Sequence, residues 1–168
     1  MEKAINRFIF FSVLVLVLGC EQAGKKDQLP IDEESIEPEL SVADIKADLL
    51  EKGYEIFDYV DPQTADTVIM QQYFIAFLKK GPNRSQNKKE ADSLQTLHLE
   101  HLGKMYKLGF ADISGPFGDD GDIRGITIYN TPTLEMADSL ANLDPMVKSG
   151  RLVIEMHPWW AAKGFPLR

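Results

Sequence analysis

A chain of 168 residues, 44% of them hydrophobic, can bury one sizeable core, and its formal charge of −8 speaks against a nucleic-acid partner, whose phosphates need clustered Lys and Arg. The single cysteine, Cys20, excludes internal disulfides and any multi-cysteine metal centre. No apolar run reaches about 18 residues, so no ordinary transmembrane helix is expected.

Residues 1–19 have the build of a targeting segment. Lys3 and Arg7 precede the apolar run Phe8–Leu18, which is too short to span a bilayer comfortably. The run closes in Val17-Leu18-Gly19-Cys20, which resembles the bacterial lipobox, where the cysteine is lipidated and becomes the mature N-terminus. The expectation is a lipid anchor at Cys20 and a place in the cell envelope of a bacterium, on the periplasmic or the surface side. An uncleaved anchor with an incidental cysteine is the alternative. Residues 20–40 carry Pro30, Pro38 and the acidic run Asp32-Glu33-Glu34 with few large apolar residues, the composition of a disordered tether.

Residues 41–66 read as a helix–strand extension. Ser41 can cap a helix to Lys52 that Gly53 ends, with Val42, Ile45, Leu49 and Leu50 on its apolar side. Tyr54–Val60 reads as a strand, Asp61-Pro62-Gln63 as a turn, and Thr67–Leu78 as a longer strand that pairs with the first. The polar segment Lys79–Lys89, with Gly81 and Pro82, is a loop.

The central helix follows. Leu94, Leu97, Leu102, Met105 and Leu108 recur at three- and four-residue steps, and His98 and His101 both fall within that apolar arc. Buried imidazoles are costly unless hydrogen-bonded or used. Gly109 stops the helix, Phe110–Ser114 reads as a short strand, and Gly115-Pro116 as a turn. Gly118-Asp119-Asp120-Gly121-Asp122 fails the EF-hand spacing and lacks the distal glutamate, so it is read as a hairpin loop leading to a strand at Ile123–Tyr129. Thr131-Pro132 has the form of a helix start, with Thr131 as cap, and the helix ends before Asp144-Pro145. Leu152–His157 is the closing strand, followed by Pro158-Trp159-Trp160, whose tryptophans suit packing or a dimer contact. From Thr67 the order is therefore strand, helix, strand, strand, helix, strand. That is an α+β, ferredoxin-like βαββαβ domain over residues 67–168, whose open sheet face invites a second copy.

The segment His98-Leu99-Glu100-His101-Leu102 running to Gly109, with Gly115-Pro116-Phe117, resembles the YCII-related (YciI-like) family. So do Ala141-Asn142-Leu143-Asp144-Pro145 and Gly150-Arg151-Leu152. The similarity spans roughly Met70–Pro158. It implies a dimeric α/β barrel type of ferredoxin-like fold with a His–Asp pair as active site. The family's histidine falls on His98, which keeps the register to Gly109 and Gly115, and its aspartate on Asp144. Relatives of a muconolactone-isomerase type and of a dehydrochlorinase type acting on chlorinated hydroxyquinols both work by proton abstraction. The resemblance thus implies an isomerase or lyase acting on a small carbonyl or phenolic compound.

The chemistry of the residues is compatible with this. A histidine can take a proton and return it elsewhere, and a carboxylate on one ring nitrogen fixes the tautomer and makes the other a better base. His101, Tyr73, Gly115 and Pro116 are candidates for the same pocket, although His101 and Tyr73 are equally at home in a core. A His98/His101/His157 metal site is conceivable, but nothing in the spacing requires it, and neither metal nor cofactor is expected. A lipid-anchored binding or structural module that keeps the fold without catalysis is the alternative function.

Overall fold

The computed structural model describes residues 40–165 and Leu167, so the expected leader, Cys20 and nearly all of the expected tether lie outside the described residues. The elements run α1 (Val42–Glu51), β1 (Ile56–Val60), β2 (Thr67–Lys80), α2 (Lys88–Lys107), β3 (Ala111–Pro116), β4 (Ile123–Tyr129), α3 (Leu134–Ala141), α4 (Pro145–Lys148) and β5 (Leu152–Ala162).

β2 is the organising strand. Its residues Met70–Lys80 pair with β5, while its other edge pairs first with β1 at Thr67–Gln71 and then with β4 at Phe74–Lys79. β3 completes the sheet on the far side of β4, and every pairing is antiparallel. The four strands of the domain proper therefore lie in the order β5-β2-β4-β3, which is the ferredoxin-like arrangement. Period-2 alternation divides β2 between two faces. Phe74, Ala76 and Leu78 join Met105 of α2 and Ala137 and Ala141 of α3 in one buried cluster, so both helices cover the same face. Tyr73, Ile75 and Phe77 point the other way, registered against Trp159, His157 and Glu155 of β5.

The helices begin where local chemistry starts them. Ser41 Oγ accepts from the Asp44 amide at the head of α1. Asn87 and Glu90 form a capping box at the head of α2, each side chain accepting from the other's backbone N–H. Gly109, at φ +74, ends the α2 segment in the left-handed region that glycine adopts freely.

Several boundaries differ from those expected. Gly115 and Pro116 are strand residues paired with Ile126 and Gly125 rather than a turn. Gly125 permits this, because a Cβ there would come 2.5 Å from the Gly115 carbonyl oxygen. Thr131 does not cap α3. Its hydroxyl donates to the Thr133 carbonyl, and Thr133 is the cap, two residues later. Lys79 and Lys80 extend β2 into the expected loop. β5 continues through Pro158 to Ala162, since it pairs on one side only, with β2, and an edge strand tolerates a missing N–H. On α2 the buried stripe is centred on His98 and Met105, leaving Leu97 (43%) and Leu108 (54%) exposed at its margin.

Candidate active site: a histidine–aspartate pair at the wall of a cleft

Two backbone arrangements bring the pair together. The capping box fixes the start of α2, and three turns further on His98 faces inward with 8% of its surface exposed. Asp144 follows α3, and its extended backbone (ψ 127°) is what a residue before proline prefers. It does more than stop a helix: it caps the new turn α4, with Pro145 as first helical residue.

The two oxygens of Asp144 divide the work. Oδ1 accepts from the Met146 amide at 2.8 Å, and Oδ2 lies 2.5 Å from His98 Nδ1. Asp144 is only 3% exposed, so this contact is shielded from water. A carboxylate can only accept, which makes Nδ1 the protonated nitrogen of the neutral ring and leaves the Nε2 lone pair free. Nε2 has no hydrogen-bond partner among the described residues and is not sealed from solvent.

His98 lines a cleft of about 480 Å³ between α2 and the helix-side face of β3 and β4. Gly115 and Pro116 line the same cleft, and Leu78, Leu102 and Leu152 supply apolar wall. Ser114, whose hydroxyl donates to Thr127 Oγ1, also borders it. So do Arg84, Arg124 and Arg151, which the sequence gives no local reason to associate, since they lie in three separate segments. The nearest signal is the Gly150-Arg151-Leu152 motif.

The remaining candidates lie elsewhere. Tyr73 packs against Trp159 on the sheet face opposite α2 and α3, with ring centroids 6.3 Å apart, and burial pushes its hydroxyl up to about 12. His157 is on that same face, bonded to Glu155 at 2.9 Å and edge-on to Phe77. Among the described residues, no group of three His, Cys, Asp or Glu side chains is placed to hold a metal ion.

His101, one turn along α2, does not line the cleft. Its Nε2 is buried with no hydrogen-bond partner among the described residues. Burial lowers its pKa below the usual imidazole range, against the opposing pull of the Asp144 carboxylate.

No protein-family model matches the sequence, and no curated protein matches it. Among solved structures, 5-chloro-2-hydroxyhydroquinone dehydrochlorinase (TftG) from Burkholderia phenoliruptrix AC1100, in complex with 2,5-dihydroxybenzoquinone, is similar to this chain at 20% identity and a TM-score of 0.40. The likeness covers 52% of this chain and 92% of that one.

The burial of the His101 imidazole has a consequence for stability. With the folded-state pKa of His101 depressed, the unfolded chain binds a proton more readily, so stability falls as pH drops through the ordinary imidazole value near 6.5. In His101→Leu this contribution vanishes. Thermal midpoints at pH 7 and pH 5 should therefore differ less in the variant than in wild type, and an equal drop in both would refute the assignment.

Proposed function

We propose that this chain is a small acid–base enzyme of the isomerase or lyase type, in which His98 moves the proton and Asp144 orients and charges it. The single observation that carries the reading is the short, buried Nδ1–Oδ2 contact at the wall of a cleft that His98 lines. Nε2 would take a proton from the carbon beside a carbonyl, or from a phenolic hydroxyl. The imidazolium so formed is stabilised by Asp144. Return of that proton at another position gives an isomerisation, and departure of a group from the adjacent carbon gives an elimination. A small carbonyl or phenolic compound suits both routes, as the YCII-related resemblance implies.

The ring proton tests the pair directly. In wild type the His98 Nδ1 proton should resonate far downfield and exchange slowly, the mark of a charge-assisted bond shielded from water. Asp144→Asn keeps an oxygen able to cap α4 but removes the charge, so the fold should persist while that resonance moves upfield. No change at His98, or a larger one at His101, would show that the wrong imidazole carries the chemistry. For any substrate found, His98→Gln should lower turnover by about 10²–10⁴-fold.

Two features of the cellular setting belong to the same proposal. The lipobox-like Val17–Cys20 leads us to place the domain on a bacterial membrane through a lipid at Cys20. Wild type should then partition into detergent, and a Cys20→Ser chain that matured with the same lipid-bearing mass would exclude the anchor.

The second feature is a homodimer, supported by the sheet face opposite α2 and α3, where Phe77 and the partly exposed Trp159 and Val153 lie. Sedimentation of residues 41–168 should give twice the monomer mass. A strict monomer at micromolar concentration counts against pairing through this face.

A further inference from the structure

We infer that the His98 cleft binds a small organic acid, whose carboxylate or phosphate group is held by Arg84 and Arg151, with Arg124 on the facing strand.

The chain has five arginines, at positions 7, 84, 124, 151 and 168, and the three within the described residues all border this one cleft. No lysine lines it, although lysines are the more numerous cation in the sequence. The distinction is chemical. A guanidinium offers planar, paired N–H donors that match the two oxygens of a carboxylate or phosphate, whereas an ammonium is a hydrated point charge.

The arginines arrive from separate segments and are held there by the fold. Arg84 lies in the loop between β2 and α2, Arg124 is the second residue of β4, and Arg151 lies immediately before β5. That loop is clamped to the start of β5 through Gly81 N–H to the Arg151 carbonyl and Asn83 N–H to the Gly150 carbonyl, both 3.0 Å. Any side chain at Gly81 would collide with the Gly150 carbonyl, so the approach requires glycine. Across the clamp, Arg84 Nη1 donates to the Arg151 carbonyl at 3.2 Å, and Arg151 Nη1 donates to Gln86 Oε1 at 3.0 Å. Each guanidinium thus spends one N–H on positioning and keeps its other donors.

The local charge is unbalanced. Neither Arg84 nor Arg151 pairs with a carboxylate among the described residues. Asp92, the one carboxylate in the lining, is taken by Lys88 at 2.6 Å. Arg124 is anchored by the carbonyls of Asp119 and Gly121 and lies 3.6 Å from the fully exposed Asp120. In a protein of formal charge −8, this leaves a concentrated positive site beside His98, and an oxyanion is the group that neutralises it. Leu78, Leu102 and Leu152 line the remainder and suit the hydrocarbon part of the same molecule.

The inference rests on the acid–base reading only in taking the bound acid for the substrate; binding itself requires no turnover. The test titrates the full chain in detergent with benzoate, phenyl phosphate and, as neutral comparator, phenol, following arginine side-chain ¹⁵N shifts and the thermal midpoint. One or both anions should bind more tightly than phenol and move the Arg151 signals, and whichever binds more tightly identifies the carboxylate or the phosphate. Arg151→Gln should weaken anion binding by about 10- to 100-fold and leave phenol unchanged. Should that variant fail to fold, Arg151→Lys keeps the charge but loses the paired donors, and it should still weaken the anions relative to phenol. Equal binding of phenol and the anions, absence of anion binding, or unchanged affinity in the folded variant overturns the inference. The His98 ring-proton signature is read without ligand, so either result can fail while the other stands.

Discussion

Everything that surrounds the cleft is suspended from β2. Antiparallel pairing fixes which residues stand opposite one another, and β2 is paired along both edges, so neither neighbour can slide without turning its side chains to the wrong face. Lys80 pairs with Leu152 and Lys79 with Ile123. The first residues of β5 and β4 are therefore held at one end of the sheet, and Arg151 and Arg124 with them. The same end of β2 feeds the loop that carries Arg84 and then α2. A cationic end and a histidine-bearing helix are brought together by one strand's register.

Within that frame, the His98–Asp144 contact couples two parts of the chain that no secondary-structure element joins. Both side chains are buried, where an isolated charge is strongly disfavoured and a paired one is held tightly. The carboxylate is oriented independently of the imidazole, because the Met146 amide holds its other oxygen. Tyr129, buried beneath the site, has its hydroxyl pushed up chiefly by burial and further by the Asp144 charge, so it stays neutral in the core.

The repeating elements were legible in the sequence because their causes are local. The span Ile123–Tyr129, the stop at Gly109 and the cap at Ser41 follow from alternation, from a glycine adopting positive φ, and from a hydroxyl before an apolar run. The ferredoxin-like order followed from the element sequence alone. His98 stood out through the motif resemblance and its register to two glycines, since periodicity placed His101 in the same arc. What lay hidden was decided by tertiary pairing. Thr131 and Thr133 are equally good caps on paper, and Pro158 reads as a strand end until β5 is known to be an edge. The arginine cluster is wholly non-local, for Arg84 and Arg151 are separated by most of the domain in sequence yet joined across the Gly81–Gly150 clamp.

The double engagement of Asp144 changes how descendants of this domain would look. Selection for folding alone retains an aspartate or asparagine there, because α4 needs its cap whatever happens in the cleft. His98 carries no comparable debt to the backbone: its one bond is to Asp144. A lineage without the proposed chemistry would lose the imidazole first and keep the acid as a relic of architecture. In a set of homologues, the residue on the helix would be the informative one, and an aspartate before the proline would report only that the turn still forms.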